Sequence, residues 1–92
     1  MPIAIEFDQE KRDKTLSERG LDFARANEIF AGPTATVADN RADYGESRFI
    51  TMGALDGRLV VMVWTARGES RRIISMRKAN EREVARFENR WG

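Results

Sequence analysis

Apolar residues at Ile3, Ile5 and Phe7 alternate with polar or small ones in P-I-A-I-E-F, which predicts a short strand over residues 2–7. The pattern then breaks into an almost wholly charged stretch containing K-R-D-K-T-L-S-E-R, a helix over 9–19. Asp8 can cap this helix by accepting from its free amides, and Gly20 can end it in a left-handed conformation. Asp22 stands before a second helix, 23–31, in which Phe23, Ala26, Ile29 and Phe30 share a face and Gly32-Pro33 ends the run. Residues 34–39 are a β-branched strand, 39–47 a polar loop, and 48–53 another strand. Asp56-Gly57 signals a hairpin. L-V-V-M-V-W, 59–64, is apolar on both faces and marks a central strand. Arg67-Gly68 turns the chain into R-R-I-I-S-M-R-K-A, 71–79. Asn80 and Glu83 predict a reciprocal cap on a last helix whose Val84, Phe87 and Trp91 share a face. The order β-α-α-β-β-β-β-α, with strands linked by hairpins, predicts an α+β fold with an antiparallel sheet and segregated helices.

The strand at 71–79 carries four cations among Ile73, Ile74 and Met76. Successive side chains of a strand point to opposite faces. A regular strand therefore puts Arg71, Ile73, Ser75 and Arg77 on one face and Arg72, Ile74 and Met76 on the other. Two arginines on one face suit phosphate, because the planar guanidinium bonds in a bidentate fork and stays charged. A polar sheet face that meets only water is the alternative.

Charge sharpens this picture. The net charge is +1, but residues 1–50 hold 7 basic and 10 acidic side chains while residues 51–92 hold 9 and 5. The basic half is the C-terminal one, centred on this strand. The 92 residues support one domain, 1–92. No cysteine is present, which excludes disulfides and thiolate sites. No histidine is present, so the commonest general base and metal ligand is missing. Acid–base chemistry is left to carboxylates, Lys, Arg or Tyr44, and neither metal nor cofactor is expected. No apolar run approaches the ~20 residues of a membrane span. Glu6 and Asp8 stand where a signal peptide would be basic and then apolar. A soluble, cytoplasmic protein with no membrane contact is expected.

Four blocks carry a family likeness: I-E-F-D-Q-E-K at 5–11, L-S-E-R-G-L-D-F at 16–23, G-E-S-R-F-I at 45–50, and R-G-E-S-R-R-I-I-S-M-R-K-A at 67–79, followed by Glu81 and Glu83. In this order, over nearly the whole chain, they resemble the BrnT family of toxins from type II toxin–antitoxin pairs. The resemblance implies a RelE-like domain with a small twisted antiparallel sheet. It implies a metal-independent endoribonuclease that arrests translation. It also implies a BrnA-type antitoxin with a ribbon-helix-helix domain, through which alone the toxin would meet operator DNA. Two positions depart from the family pattern. Arg19 stands where many members have a histidine, and Phe87 where many have a tyrosine.

RNA is cleaved when its 2′-oxygen attacks the adjacent phosphate, and a protein helps by stabilising the charge that builds up there. Arg48, Arg71, Arg77 and Lys78 are the catalytic candidates; Arg67, Arg72 and Tyr44 are the RNA-binding ones. Each has a plainer role open to it. Arg48 can simply pair with Glu46, Arg67 can be an exposed turn residue, Lys78 can be solvated, and Tyr44 can pack on the surface. Trp64 either stacks on a base or fills the core. Glu81 and Glu83 fit helix capping better than base catalysis, and the charged first helix reads as a solvated face. The competing functions are a toxin-like module without catalysis that binds nucleic acid or a partner, and an interaction protein whose charged helices dock another chain.

Overall fold

The structure is a computed structural model that describes residues 3–91, with side chains through Asn89. Pro2 of the first expected strand and the Trp91 side chain of the last helix lie outside the described residues. The strands are β1 (Ala4–Phe7), β2 (Thr34–Ala38), β3 (Arg48–Leu55), β4 (Arg58–Arg67) and β5 (Ser70–Lys78). The helices are α1 (Gln9–Arg19), α2 (Ala26–Phe30), entered through a 3₁₀ turn at Phe23–Arg25, and α3 (Glu81–Trp91). One sheet runs in the order β1-β5-β4-β3-β2. The meander from β2 to β5 is antiparallel, as the hairpin signals predict. At its edge β1 adds in parallel to β5, with Phe7 opposite Ile73, so the sheet is mixed.

Local signals act as the residues predict. Asp8 accepts from the Lys11 amide at 3.2 Å, and Gly20 ends α1 at φ 70°. Asp22 accepts from the Ala24 amide at 2.9 Å and takes a bidentate pair from Arg12, at 2.9 and 3.1 Å, which ties α1 to the start of the next helical turn. Asp56 and Gly57 both have positive φ, 54° and 74°, as the tight hairpin requires. β4 runs through the middle of the sheet, and its Val60, Val61 and Met62 are all buried. The second hairpin turns at Gly68-Glu69, so Arg67 is the last residue of β4 rather than part of the turn.

Leu21, Phe23, Ala26 and Ile29 pack onto Leu55, Val60, Met62, Ile73 and Met76 to form the core on one face of the sheet. The approach of α2 to β3 depends on Gly53. A Cβ there would lie 2.7 Å from Ile29 Cγ2 and 3.0 Å from Thr34 Cγ2. Buried Thr51 is satisfied by the Trp64 Nε1–H, at 2.8 Å, and by Thr36 Oγ1, also at 2.8 Å. Trp64 thus packs at the edge of the core, against Phe30 and Phe49.

One irregularity overturns an expectation. Val63 is opposite Ser75, but Trp64 is opposite Ile73, so Ile74 is an extra residue, a β-bulge in β5. The faces of β5 exchange at this point. Ile73 and Met76, three apart, both enter the core. Arg71 and Arg77 therefore do not share a face. Arg71 lies on the helix-covered side, its guanidinium 3.9 Å from the Phe30 ring centroid and 5.2 Å from that of Trp64. Arg72, opposite Thr65, and Arg77, opposite Val61, share the other side.

α3 attaches to that other side. Asn80 and Glu83 form the reciprocal cap: each side chain accepts from the other's amide, at 2.8 and 2.9 Å. Glu83 also takes both nitrogens of the Arg77 fork, at 2.7 and 2.8 Å. The guanidinium holds the Glu83 carboxyl at about 2, well below its usual range. Arg41 similarly holds the buried Asp39 carboxyl at about 2.

Two predictions follow from this packing. Gly53→Ala forces α2 away from β3 and costs about 1–3 kcal/mol. In thermal denaturation that is a fall of ~4–8 °C in Tm per kcal/mol, and an unchanged Tm would refute the close approach. The second concerns acid. Depressed carboxyls stabilise the fold fully above the unfolded carboxyl range and lose that contribution as pH falls through their folded values. For Glu83 the window runs from about 4.5 down to about 2. The urea midpoint should be flat from neutral pH down to ~5 and fall below it. Glu83→Gln should lower the neutral midpoint and make the fall smaller.

Candidate functional site

The residues that carry charge on the open side of the sheet gather where β3 begins and β4 ends. Arg48 is opposite Thr65, and Thr65 is opposite Arg72. Neighbouring strands are ~4.8 Å apart, so Arg48 and Arg72 straddle Thr65 with about 10 Å between their backbones. Thr65 is buried and donates to the Ser47 carbonyl at 2.6 Å, which fixes the start of β3 against β4. Arg67 follows two residues on from Thr65, on the same side.

The loop before β3 is held just as firmly. The Asp39 carboxylate accepts from the Arg41 amide, Nε and Nη2, and the Asp39 amide donates to the Arg48 carbonyl at 2.8 Å. Asp43 accepts from the Gly45 amide, where φ is 71°. This turn presents Tyr44 and Glu46 to Arg48. The Arg48 guanidinium lies 4.0 Å from the centroid of the Tyr44 ring. The Asp39 carboxyl that anchors this loop is kept ionised chiefly by Arg41. Glu46 bridges two strands, accepting from Arg48 Nε at 3.3 Å and from Arg67 Nη2 at 3.0 Å.

These groups surround a cleft of about 240 Å³, closed on its far side by Asp8 and Lys11 of the α1 N-terminus and by Ile73 and Ile74. Asp8 is engaged as the cap of α1. Arg72 and Lys11 have no carboxylate partner among the described residues. The cleft therefore carries four cations against two carboxylates, one of them bound to two of the arginines. Such a surplus on rigid strands fits an oxyanion, bound by forked guanidiniums.

The structure sorts the candidates named from the sequence. It brings Arg48, Arg67 and Arg72 together, with Tyr44 beside them. Arg77 lies on the same side of the sheet but further along β5, and its fork is filled by Glu83. A second cleft, of about 170 Å³, lies there, lined by Arg41, Arg77, Ser75 and apolar residues of β3 and β4. Lys78 ends β5, exposed, opposite Val60 on the helix side. Arg71 is on the helix side as well. The ion pair expected between Arg48 and Glu46 is present, and so is the core-edge role of Trp64. Sequence reasoning missed Lys11 as part of the cleft and Glu46 as a bridge to Arg67. The bridge had a signal in the acid-arginine spacing of G-E-S-R, but the partner on the neighbouring strand had none.

No helix of the described residues is long and apolar enough to cross a membrane. A search of curated proteins finds no match. The family model described as "Ribonuclease toxin, BrnT, of type II toxin-antitoxin system" matches residues 7–83, which include the whole arginine cleft and the Glu83 cap. The chain belongs to the BrnT family of ribonuclease toxins of type II toxin–antitoxin systems.

Proposed function

We propose that residues 1–92 act as one RelE-like toxin domain, a cytoplasmic, metal-independent endoribonuclease whose reacting phosphate sits in the Arg48–Arg67–Arg72 cleft. The observation that carries this reading is the convergence of three guanidiniums from three adjacent strands on one cleft beside an aromatic ring. The 2′-oxygen attacks phosphorus, the bond to the 5′-oxygen breaks, and a 2′,3′-cyclic phosphate and a 5′-hydroxyl result. Glu46, held between Arg48 and Arg67, takes the 2′ proton, and water returns one to the leaving oxygen. The arginines stabilise the charge on the equatorial oxygens, and at preorganised sites of this kind such stabilisation supplies most of the rate. Tyr44 stacks on a base, with the Arg48 guanidinium against its ring. Arg77 meets a flanking phosphate once Glu83 yields, and Lys78 lies outside the reacting site.

The protein halts translation by cutting RNA and is neutralised by a BrnA-type ribbon-helix-helix antitoxin, which alone carries it to operator DNA. A second reading is a toxin-like module that binds RNA or a partner without cleaving. It is favoured by Glu46, whose carboxylate is already engaged by two arginines, and by the absence of histidine.

Two measurements test this. Expression of the chain alone should slow growth and lower translation, and co-expression of the antitoxin encoded beside it should restore both. Normal growth with soluble protein would remove the cleavage reading and leave the non-catalytic one. In vitro, with a metal chelator present, Arg48→Ala or Arg72→Ala should lower RNA cleavage by about 10²-fold. Arg71→Ala should keep cleavage and lose ~0.5–1 kcal/mol of stability with its aromatic contacts. The reverse outcome, a dead Arg71→Ala and an active Arg72→Ala, would put the reacting phosphate on the other side of the sheet.

A further inference from the structure

β1 ends at Phe7 opposite Ile73, so from Ile74 onward β5 has no strand beside it on that edge. α1 lies there instead, and Arg19 donates to the Met76 carbonyl at 2.7 Å. The helix stands off the sheet. None of its residues is buried, and Leu16 is 37% exposed. Between helix and strand runs a cleft of about 290 Å³, lined by Lys11, Lys14, Glu18 and Arg19 on one wall and Ile74 and Ser75 on the other. Lys11 and Ile74 also line the arginine cleft. The two are parts of one trough, joined at the bulge.

The charges of α1 are sorted about this trough. Asp13 is engaged with Gln9 and Arg12, and Arg12 with Asp22. Lys11 and Lys14, three apart and on one face, have no carboxylate partner among the described residues. A helix face that met only water would gain from pairing its lysines with the acids of the same helix. Here Asp13 is drawn away, and Glu18, though it lines the same wall, pairs with neither lysine among the described residues.

We propose that this α1–β5 trough is a second RNA subsite, which holds the sugar–phosphate backbone of the same strand whose adjacent phosphate lies in the arginine cleft. The inference rests on the reading of that cleft as the reacting site. From Lys11 to Arg19 the helix rises about 12 Å, the length of ~3 phosphates in a stacked strand. The walls offer three cations against the one carboxylate of Glu18, and no aromatic ring, so the subsite grips backbone and is indifferent to base.

The test uses full-length protein and 2′-O-methyl RNA, which cannot be cut. Affinity is measured against salt by fluorescence anisotropy, for a dinucleotide and for an oligomer long enough to cover both clefts. Lys14→Ala is the variant, since Lys14 is exposed and alanine is the best helix former; Arg58→Ala, at the far hairpin, is the control. For the oligomer, Lys14→Ala should make the salt slope shallower by about 0.7, Lys14→Arg should restore it, and Arg58→Ala should leave it alone. Dinucleotide binding should not respond to Lys14→Ala. If the oligomer slope ignores Lys14→Ala while Arg72→Ala weakens binding, the trough is refuted and the arginine cleft stands. If Lys14→Ala changes the slope and Arg72→Ala does nothing, the trough stands and the cleft reading fails. A wild-type protein that binds neither RNA refutes both.

Discussion

Strand parity governs this molecule. β5 must bury Ile73 and Met76 in the same core, yet they are three residues apart, an odd number that a regular strand cannot place on one face. The extra residue at Ile74 resolves the conflict. Burying a large apolar side chain contributes roughly 1.5–3 kcal/mol, and a disrupted ladder bond costs about 1 kcal/mol, so the core wins. The arginines follow passively. Arg71 goes under the helices, onto Phe30 and Trp64, while Arg72 and Arg77 come out together on the open side.

The guanidiniums on that side are held rather than neutralised. Glu46 fixes Arg48 and Arg67, and Glu83 fixes Arg77. Ion pairs this exposed are worth ~0.2–1 kcal/mol each, little enough for a phosphate to displace. Their value lies in orientation, since an arginine already pointing into a cleft loses less freedom on binding than a free one. Arg72 and Lys11, without such partners among the described residues, supply the surplus positive charge of the cleft.

Most of the fold could be read from the residues because its signals are local. Asp8, Gly20, Asp22, Asp56-Gly57 and the Asn80–Glu83 pair each act within a few residues of their own position, and each does what its chemistry predicts. The family likeness of four short blocks likewise pointed to the right family. What escaped was non-local. Nothing in R-R-I-I-S-M-R-K marks Ile74 as the bulge, because its register is set by β4. The parallel docking of β1 depends on an edge of β5 that lies more than sixty residues away. Of the candidate site, Arg48, Arg67, Arg72 and Tyr44 were all named on charge and ring chemistry, but the bulge decided which cations of β5 share their side: Arg72 and Arg77 do, Arg71 and Lys78 do not.

The parallel pairing of β1 also sets an order of assembly. The meander closes through short turns, whereas β1 must find β5 across nearly the whole chain. Chain entropy makes that closure about 3 kcal/mol harder than a two-residue hairpin. The meander is therefore the natural nucleus, and β1 docks late, carrying α1 with it. On a ribosome, β1 and α1 leave the tunnel long before β5. Until β5 follows, Lys11 and Asp8 have no strand to close against, and the arginine cleft lacks its far wall. A nascent chain of this kind lies beside ribosomal RNA with its arginine cleft unassembled until β5 emerges.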